Sequence, residues 1–263
     1  MVVMKRAVSG QSRLRVKALL SMFVMCAVTV GTCLAADPAV PAPPAENYPW
    51  MSIATWHGIH ESFVKKTKAD KIDLLFLGDS IMEQWRENAV WKKHYSPLNP
   101  ANFGIGGDLT QNVLWRVANG EVDAIKPKVV VLLIGTNNTG NDKAEDIARG
   151  ITAIVQLLGK KLPATKVLLL GILPRGAEAK TPLRDKIAAV NEVISKLADG
   201  KSVWYLDLGP KLLDKDGKLP GDVSPDSLHL SEKGYQVWAE TMDPLLKKMM
   251  AVKTATGSAA GIK

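Results

Sequence analysis

The chain has 263 residues, 46% hydrophobic and 23% charged, with 21 Gly and 15 Pro. This is ordinary globular usage, which excludes collagen-like, coiled-coil and wholly disordered chains, and the length suits one α/β domain with a sizeable core. The formal net charge of +8 points at face value to nucleic acid or anionic lipid, so its meaning depends on where the charges sit.

The first element in the chain is a leader. Lys5, Arg6, Arg13, Arg15 and Lys17 precede residue 18, no acidic residue precedes Asp37, and an apolar run from Ala18 ends in the small pair Ala35-Ala36. A basic start, an apolar middle and a small-residue exit mark residues 1–36 as a secretory signal peptide. An uncleaved anchor helix is the other reading, because the run approaches membrane-spanning length. Thr32 before Cys33 is larger than a lipid-attachment site usually carries, which argues against a lipidated N-terminus. Without this leader the basic count falls from 34 to 29 against 26 acidic residues, leaving +3, and both cysteines, Cys26 and Cys33, are lost with it. The expectation is an exported domain, periplasmic or secreted, that has no disulfide and rests on its packed core. Cleavage would leave no stable membrane span, and the near-neutral remainder speaks against a nucleic-acid partner.

Residues 37–49 (DPAVPAPPAENYP) read as an extended Pro/Ala-rich linker, 50–250 as a single domain, and 251–263 as a flexible tail. Short apolar runs closed by turn residues predict strands over 72–77, 101–103, 128–134, 166–170 and 203–206. Their near-continuous apolarity suits a parallel sheet buried on both faces. Helices are predicted over 110–117, 144–158, 183–197 and 231–249; Ile147, Ile151, Ile154, Val155 and Leu158 form one helical stripe. Strand–helix alternation specifies an α/β fold, a three-layer α/β/α sandwich with right-handed crossovers. Such folds place ligands at the carboxyl ends of the strands.

Those strand ends carry unusual sequences. Gly78-Asp79-Ser80-Ile81 puts a hydroxyl at a strand-to-helix turn, where free backbone N–H groups favour a developing anion; an ordinary N-cap is the plainer reading. Gly104-Ile105-Gly106-Gly107-Asp108 allows close backbone approach to a ligand atom, or simply a tight turn, and lacks the spacing and lysine of a phosphate loop. Asn137, in Gly135-Thr136-Asn137-Asn138, offers a neutral amide donor suited to an oxyanion hole, or turn chemistry. Asp226-Ser227-Leu228-His229 lets a carboxylate meet one imidazole nitrogen and leaves the other to take a proton. His57, His60 and His94 read as structural or surface residues; His57 and His60 could share a metal, but without a nearby ligand cluster no metal is expected. Nucleophile, hole, base and base-orienter are together the parts of acyl transfer.

With these residues in place, the sequence resembles the GDSL/SGNH hydrolases, whose four blocks are marked by Ser, Gly, Asn and His, here Ser80, Gly107, Asn137 and His229. The likeness is strongest to the catalytic subunits of intracellular platelet-activating-factor acetylhydrolase. It runs through N-F-G-I-G-G-D (102–108), V-L-W-R-V-A-N-G-E (113–121), I-K-P-K-V-V (125–130), I-L-P-R-G (172–176) and D-S-L-H-L (226–230), across about residues 50–247. The resemblance implies a flavodoxin-like, five-stranded parallel sheet and a Ser80–His229–Asp226 triad. It implies an oxyanion hole from the backbone N–H groups of Ser80 and Gly107 and the Asn137 amide, and no cofactor. Ile81, Thr136 and Leu228 adjoin these positions and are the acyl-pocket candidates; if they wall it, the acid part is short, acetyl foremost. Related subunits dimerise, and a homodimer stays open here.

The eukaryotic relatives are cytosolic and meet a phospholipid, whereas an exported chain suits an acetylated glycan or another small ester. A lysophospholipase or acetylhydrolase acting on lipid, and a non-catalytic glycan-binding domain, are the alternatives.

Overall fold

A computed structural model of the chain describes residues 36–86 and 88–251. The leader reading, apart from Ala36, and the tail reading beyond residue 251 lie outside them. Chain order is α1 (Ile53–Ala69), β1 (Leu74–Gly78), α2 (Ser80–Glu83), α3 (Ala89–His94), β2 (Pro100–Gly104), α4 (Thr110–Ala118), β3 (Val129–Leu133), α5 (Ala144–Lys161), β4 (Lys166–Leu170), α6 (Pro182–Ser195), β5 (Val203–Leu206), α7 (Gly209–Leu212) and α8 (Glu232–Ala251). The five strands form one parallel sheet in the order β2-β1-β3-β4-β5, the flavodoxin-like arrangement. Helices cover both faces, so the three-layer α/β/α fold read from the strand–helix alternation is the fold observed.

Strand side chains alternate between two cores because successive residues point to opposite faces. Leu75, Leu77, Val130, Leu132, Val167 and Leu169 pack with Phe103 and the stripe Ile147, Ile151, Ile154 and Leu158 of α5. Leu74, Phe76, Val129, Val131, Leu168 and Leu170 face the other side, where Trp85, Trp91, Tyr95, Tyr235 and Trp238 form an aromatic cluster beneath α8. The helix α1 is not among the elements predicted from the sequence. Its buried side comprises Trp56, His60, Phe63 and Thr67, helically spaced but half of it polar, so hydrophobic periodicity alone does not mark it.

The segment 37–49 is not a linker that stands away from the domain. It lies along α4 and α5. Thr110 Oγ1 donates to Pro38 O at 3.0 Å, the Ala42 N–H donates to Gln111 O at 3.1 Å, and Asn112 Nδ2 donates to Ala42 O at 3.0 Å. Arg149 reaches Asp37 at 3.1 Å, and Pro38 and Pro44 are buried. Prolines preset an extended backbone and bring no N–H to satisfy, so a Pro-rich strap can lend its carbonyls to polar side chains of a neighbouring helix.

Pairing register brings the loops of interest together. Gly78 lies opposite Gly104 on one side and Leu133 on the other, so β1, β2 and β3 end level. A Cβ on Gly104 would come within 2.3 Å of Glu83 N, so only glycine lets α2 sit against the end of β2.

Candidate active site

Ser80 opens α2 immediately after β1. Asp79 caps this turn, its Oδ1 accepting from Ile81 N at 3.0 Å, and Ser80 is left half-buried with its hydroxyl facing the loop before α8. Asp79 is wholly buried and its Oδ2 has no hydrogen-bond partner among the described residues; burial pushes its pKa up to about 7.

His229 comes to Ser80 from 149 residues away, with Ser80 Oγ and His229 Nε2 2.9 Å apart. His229 Nδ1 lies 2.6 Å from Asp226 Oδ2. The turn that joins them is self-held: Asp226 Oδ1 accepts from Leu228 N at 3.0 Å and from His229 N at 2.7 Å, Ser227 takes a left-handed φ of 59°, and Ser224 Oγ donates to His229 O at 2.8 Å. Partial burial works against the Asp226 charge, but the bonds from the His229 ring and from the His229 and Leu228 N–H groups outweigh it and hold the carboxyl below its ordinary value. An ionised Asp226 only accepts, so Nδ1 carries the proton and Nε2 of the neutral ring is free to accept from Ser80.

The other strand ends supply donors. Gly107 has φ +85°, a left-handed conformation that favours glycine. Among the described residues the backbone N–H groups of Ser80 and Gly107 have no hydrogen-bond acceptor. Asn137 Nδ2 donates to Asp108 O at 3.0 Å, which orients the amide and, among the described residues, leaves its second N–H without an acceptor. The neighbouring Asn138 is instead structural. Its Oδ1 accepts from Thr110 N at 3.0 Å, and the buried side chain ties the loop to α4. Of the acyl-pocket candidates, Ile81 and Thr136 are buried and Leu228 half-buried; the Ile81 side chain packs in the core beneath α2.

The glycine loop is anchored from behind by charges that the sequence pattern does not single out. Arg116 of α4 is completely buried; Nε donates to Asp108 Oδ2 at 2.9 Å, Nη1 to Phe103 O at 3.0 Å and to Glu121 Oε1 at 2.5 Å, and Nη2 to Gly78 O at 3.1 Å. One guanidinium thus holds the ends of β1 and β2 together with the residue after Gly107. Trp56 Nε1 donates to Asp108 Oδ1 at 2.7 Å. Burial raises Asp108 to about 6 even though Arg116 opposes the shift, while Glu121 and Asp108 outweigh the burial of Arg116 and keep it firmly charged. Arg175 also reaches this region, donating to Thr136 O at 3.0 Å. The one sequence signal for Arg116, Glu121 and Arg175 is their place inside the family-like segments 113–121 and 172–176; in composition they look like surface charge.

His60 is engaged by Glu121 Oε2 at 3.1 Å and His94 by Asp243 Oδ2 at 2.8 Å, so both serve structural pairs. Among the described residues no group of three or more His, Cys, Asp or Glu side chains is placed to hold a metal ion, and no helix is long and apolar enough to cross a membrane. A cavity of about 440 Å³ between α6 and β5, lined by Asn191, Tyr205 and Asp207, includes none of the residues above.

Comparison with known proteins gives a consistent set of likenesses. The profile of the GDSL-like Lipase/Acylhydrolase family matches residues 76–237. Platelet-activating factor acetylhydrolase IB subunit alpha1 of Homo sapiens is 40% identical over 204 residues, covering 77% of this chain and 87% of the relative. The alpha2 subunit of Rattus norvegicus is 41% identical over 196 residues, 74% of this chain and 85% of the relative. Among solved structures, a GDSL-like lipase from Bacteroides thetaiotaomicron superposes with a TM-score of 0.60 at 18% identity, covering 72% of this chain and 97% of that one, a likeness of fold.

Proposed function

The chain belongs to the GDSL-like lipase/acylhydrolase family and is a carboxylic ester hydrolase, and from that membership we propose that it is an exported serine esterase that removes short acyl groups, acetyl foremost, from acetylated carbohydrate. The observation that carries the chemistry is the Ser80–His229–Asp226 relay, 2.9 Å and 2.6 Å long, set beside three unengaged N–H donors.

In this reading His229 Nε2 takes the Ser80 proton as Oγ attacks the ester carbonyl. Charge developing on the carbonyl oxygen meets the N–H groups of Ser80 and Gly107 and the free N–H of Asn137. As the tetrahedral adduct collapses, the leaving alkoxide receives the proton back from His229 and an acyl-Ser80 remains. Water then attacks the acyl carbon, again deprotonated by His229, and the carboxylic acid leaves as Ser80 regains its proton. Asp226 stays ionised throughout and stabilises the imidazolium. The short acid part rests on the likeness to acetylhydrolase subunits.

Export rests on the leader and the near-neutral remainder of the chain. Its test is N-terminal sequencing of protein recovered outside the cytoplasm; a cytosolic chain that keeps residues 1–36 overturns it. The relatives are named as subunits, and a homodimer belongs to this reading, checked by sedimentation. Their names also favour a second substrate, the acetyl ester of a platelet-activating-factor-type lipid.

The deciding experiment offers acetylated xylo-oligosaccharide, that lipid and a graded series of alkyl esters to the wild type and to Ser80→Ala. Acetyl esters should be preferred over long acyl chains, and Ser80→Ala should lower kcat on the order of 10⁶-fold. Equal rates in the two proteins would sink the acyl-Ser80 mechanism.

A further inference from the structure

The strap before α1 ends in two aromatic rings that none of the catalytic steps uses. Tyr48 Oη donates to Gly107 O at 3.0 Å, and its ring lies flat against that of Trp50, with centroids 5.3 Å apart and planes 11° from parallel. A Cβ on Gly107 would lie 3.0 Å from the Tyr48 ring and 3.3 Å from Trp50 Cζ2. A Cβ on Gly106 would lie 3.8 Å from Trp50 Nε1 and also 3.8 Å from Ser80 Cβ. The indole N–H is therefore within twice that distance of the Ser80 Cβ. Trp50 is nonetheless 68% exposed, although an indole is among the side chains that gain most from burial. One face of the indole is covered by Tyr48, which leaves a single flat face for something else.

A carboxylate borders the same place. The Gly106 Cβ position lies 2.9 Å from Glu83 Oε2, while Glu83 Oε1 accepts from Arg86 at 3.1 Å. Half-buried Glu83 is one turn beyond Ser80 on α2, so this acceptor stands on a rigid element beside the nucleophile.

We propose that Trp50, backed by Tyr48, and Glu83 form a subsite for the sugar ring of an acetylated carbohydrate, seating the alcohol part of the ester next to Ser80. The inference rests on the esterase reading above and names the group its leaving side recognises. A pyranose presents a flat face of C–H groups, which stacks on an open indole, and a rim of hydroxyls, which donate to a carboxylate and accept from an indole N–H. A quaternary ammonium head is bound by aromatic faces inclined around the cation, and a parallel pair with one free face makes a platform instead.

The test uses the full chain and compares kcat/KM for acetylated xylo-oligosaccharide with that for ethyl acetate, which is too small to reach the platform. In Trp50→Ala this ratio should fall several-fold and up to about tenfold, the size of one aromatic stacking contact, with the loss in KM. Trp50→Phe should recover part of it, and Glu83→Gln should lower the ratio in the same direction. A wild type that deacetylates the sugar, with an unchanged ratio in Trp50→Ala, overturns the subsite and leaves the esterase reading intact. A wild type that hydrolyses ethyl acetate but no acetylated sugar overturns the carbohydrate reading itself. If Trp50→Ala instead impairs hydrolysis of an acetyl ester with a phosphocholine head, the platform serves a cation and the proposal fails.

Discussion

On the nucleophile side of the site, Asp79, Asp108, Arg116 and Glu121 are wholly buried behind the ends of β1 and β2, whereas on the base side Asp226 keeps 54% of its side chain exposed on a loop before α8. The first region is held by one guanidinium bonded to two carboxylates and two backbone carbonyls. The second is a short turn that holds itself, through the Asp226 carboxylate and the backbone of its own next residues. The difference suits the chemistry each side would perform in the proposed mechanism. Donors aimed at a developing oxyanion must not move as charge appears, so a buried scaffold tied together by Arg116 suits them. A base that takes protons from a hydroxyl and from water and returns them to the leaving alcohol would need an ionised partner and access to solvent. Partial exposure spares Asp226 the full burial of Asp79 and Asp108, and its bonds from His229 and Leu228 outweigh what burial remains.

The comparison is broken most directly at Asp226. Asp226→Asn keeps the shape but not the acceptor that fixes the His229 tautomer, and kcat measured at neutral pH should fall on the order of 10⁴-fold. A loss below tenfold would show that the exposed carboxylate is dispensable and that the turn alone orients the ring. On the other side, Arg116→Leu leaves Asp108 and Glu121 buried without their cation. Urea unfolding should show about 3–5 kcal/mol less stability, since removing one member of a buried charge group strands the rest. Removal of the exposed pair Lys215–Asp216 should cost no more than about 1 kcal/mol. Asn137→Ala should lower kcat by about 10²–10³-fold, with KM for ethyl acetate little changed; a near-normal rate would remove this amide from the oxyanion hole.

The gentlest probe is pH. Asp79 is raised to about 7, so the folded protein holds that proton more tightly than the unfolded chain. Its contribution to stability is complete below the ordinary carboxyl range and is lost as pH rises through 7, with a slope of at most about 1.4 kcal/mol per pH unit. Asp226 is lowered, so its contribution is present above that range and is lost as pH falls. Urea midpoints between pH 4 and 8 should therefore flatten in Asp79→Asn, whereas Asp226→Asn should flatten the acid limb.

Much of the site is legible before folding is considered, because turn chemistry is local. Gly78-Asp79-Ser80, Gly106-Gly107 and Asn137 each follow an apolar run, and the rule that parallel sheets bind at their carboxyl edge collects them without coordinates. The Asp226–His229 spacing is similarly local. Long-range polarity is not legible in this way. Arg116 and Glu121 look like surface charges until α4 is packed against the strand ends, and α1 hides its helical face because His60 and Thr67 belong to it. Residues 37–49 have the composition of a linker, and the bonds they make with Thr110, Gln111, Asn112 and Arg149, which hold them to the domain, exist only once α4 and α5 are packed.

The sequence by itself determined the strand–helix alternation, the parallel sheet and the residue types at its carboxyl edge, because hydrophobic period and turn preference act over a few residues. The tertiary structure decided that Ser80 meets His229 across 149 residues, that Asn137 and not Asn138 keeps an N–H to spare, and that a strap carries Trp50 to the nucleophile. These depend on strand register and on which buried polar groups find each other, and both are properties of the packed chain alone.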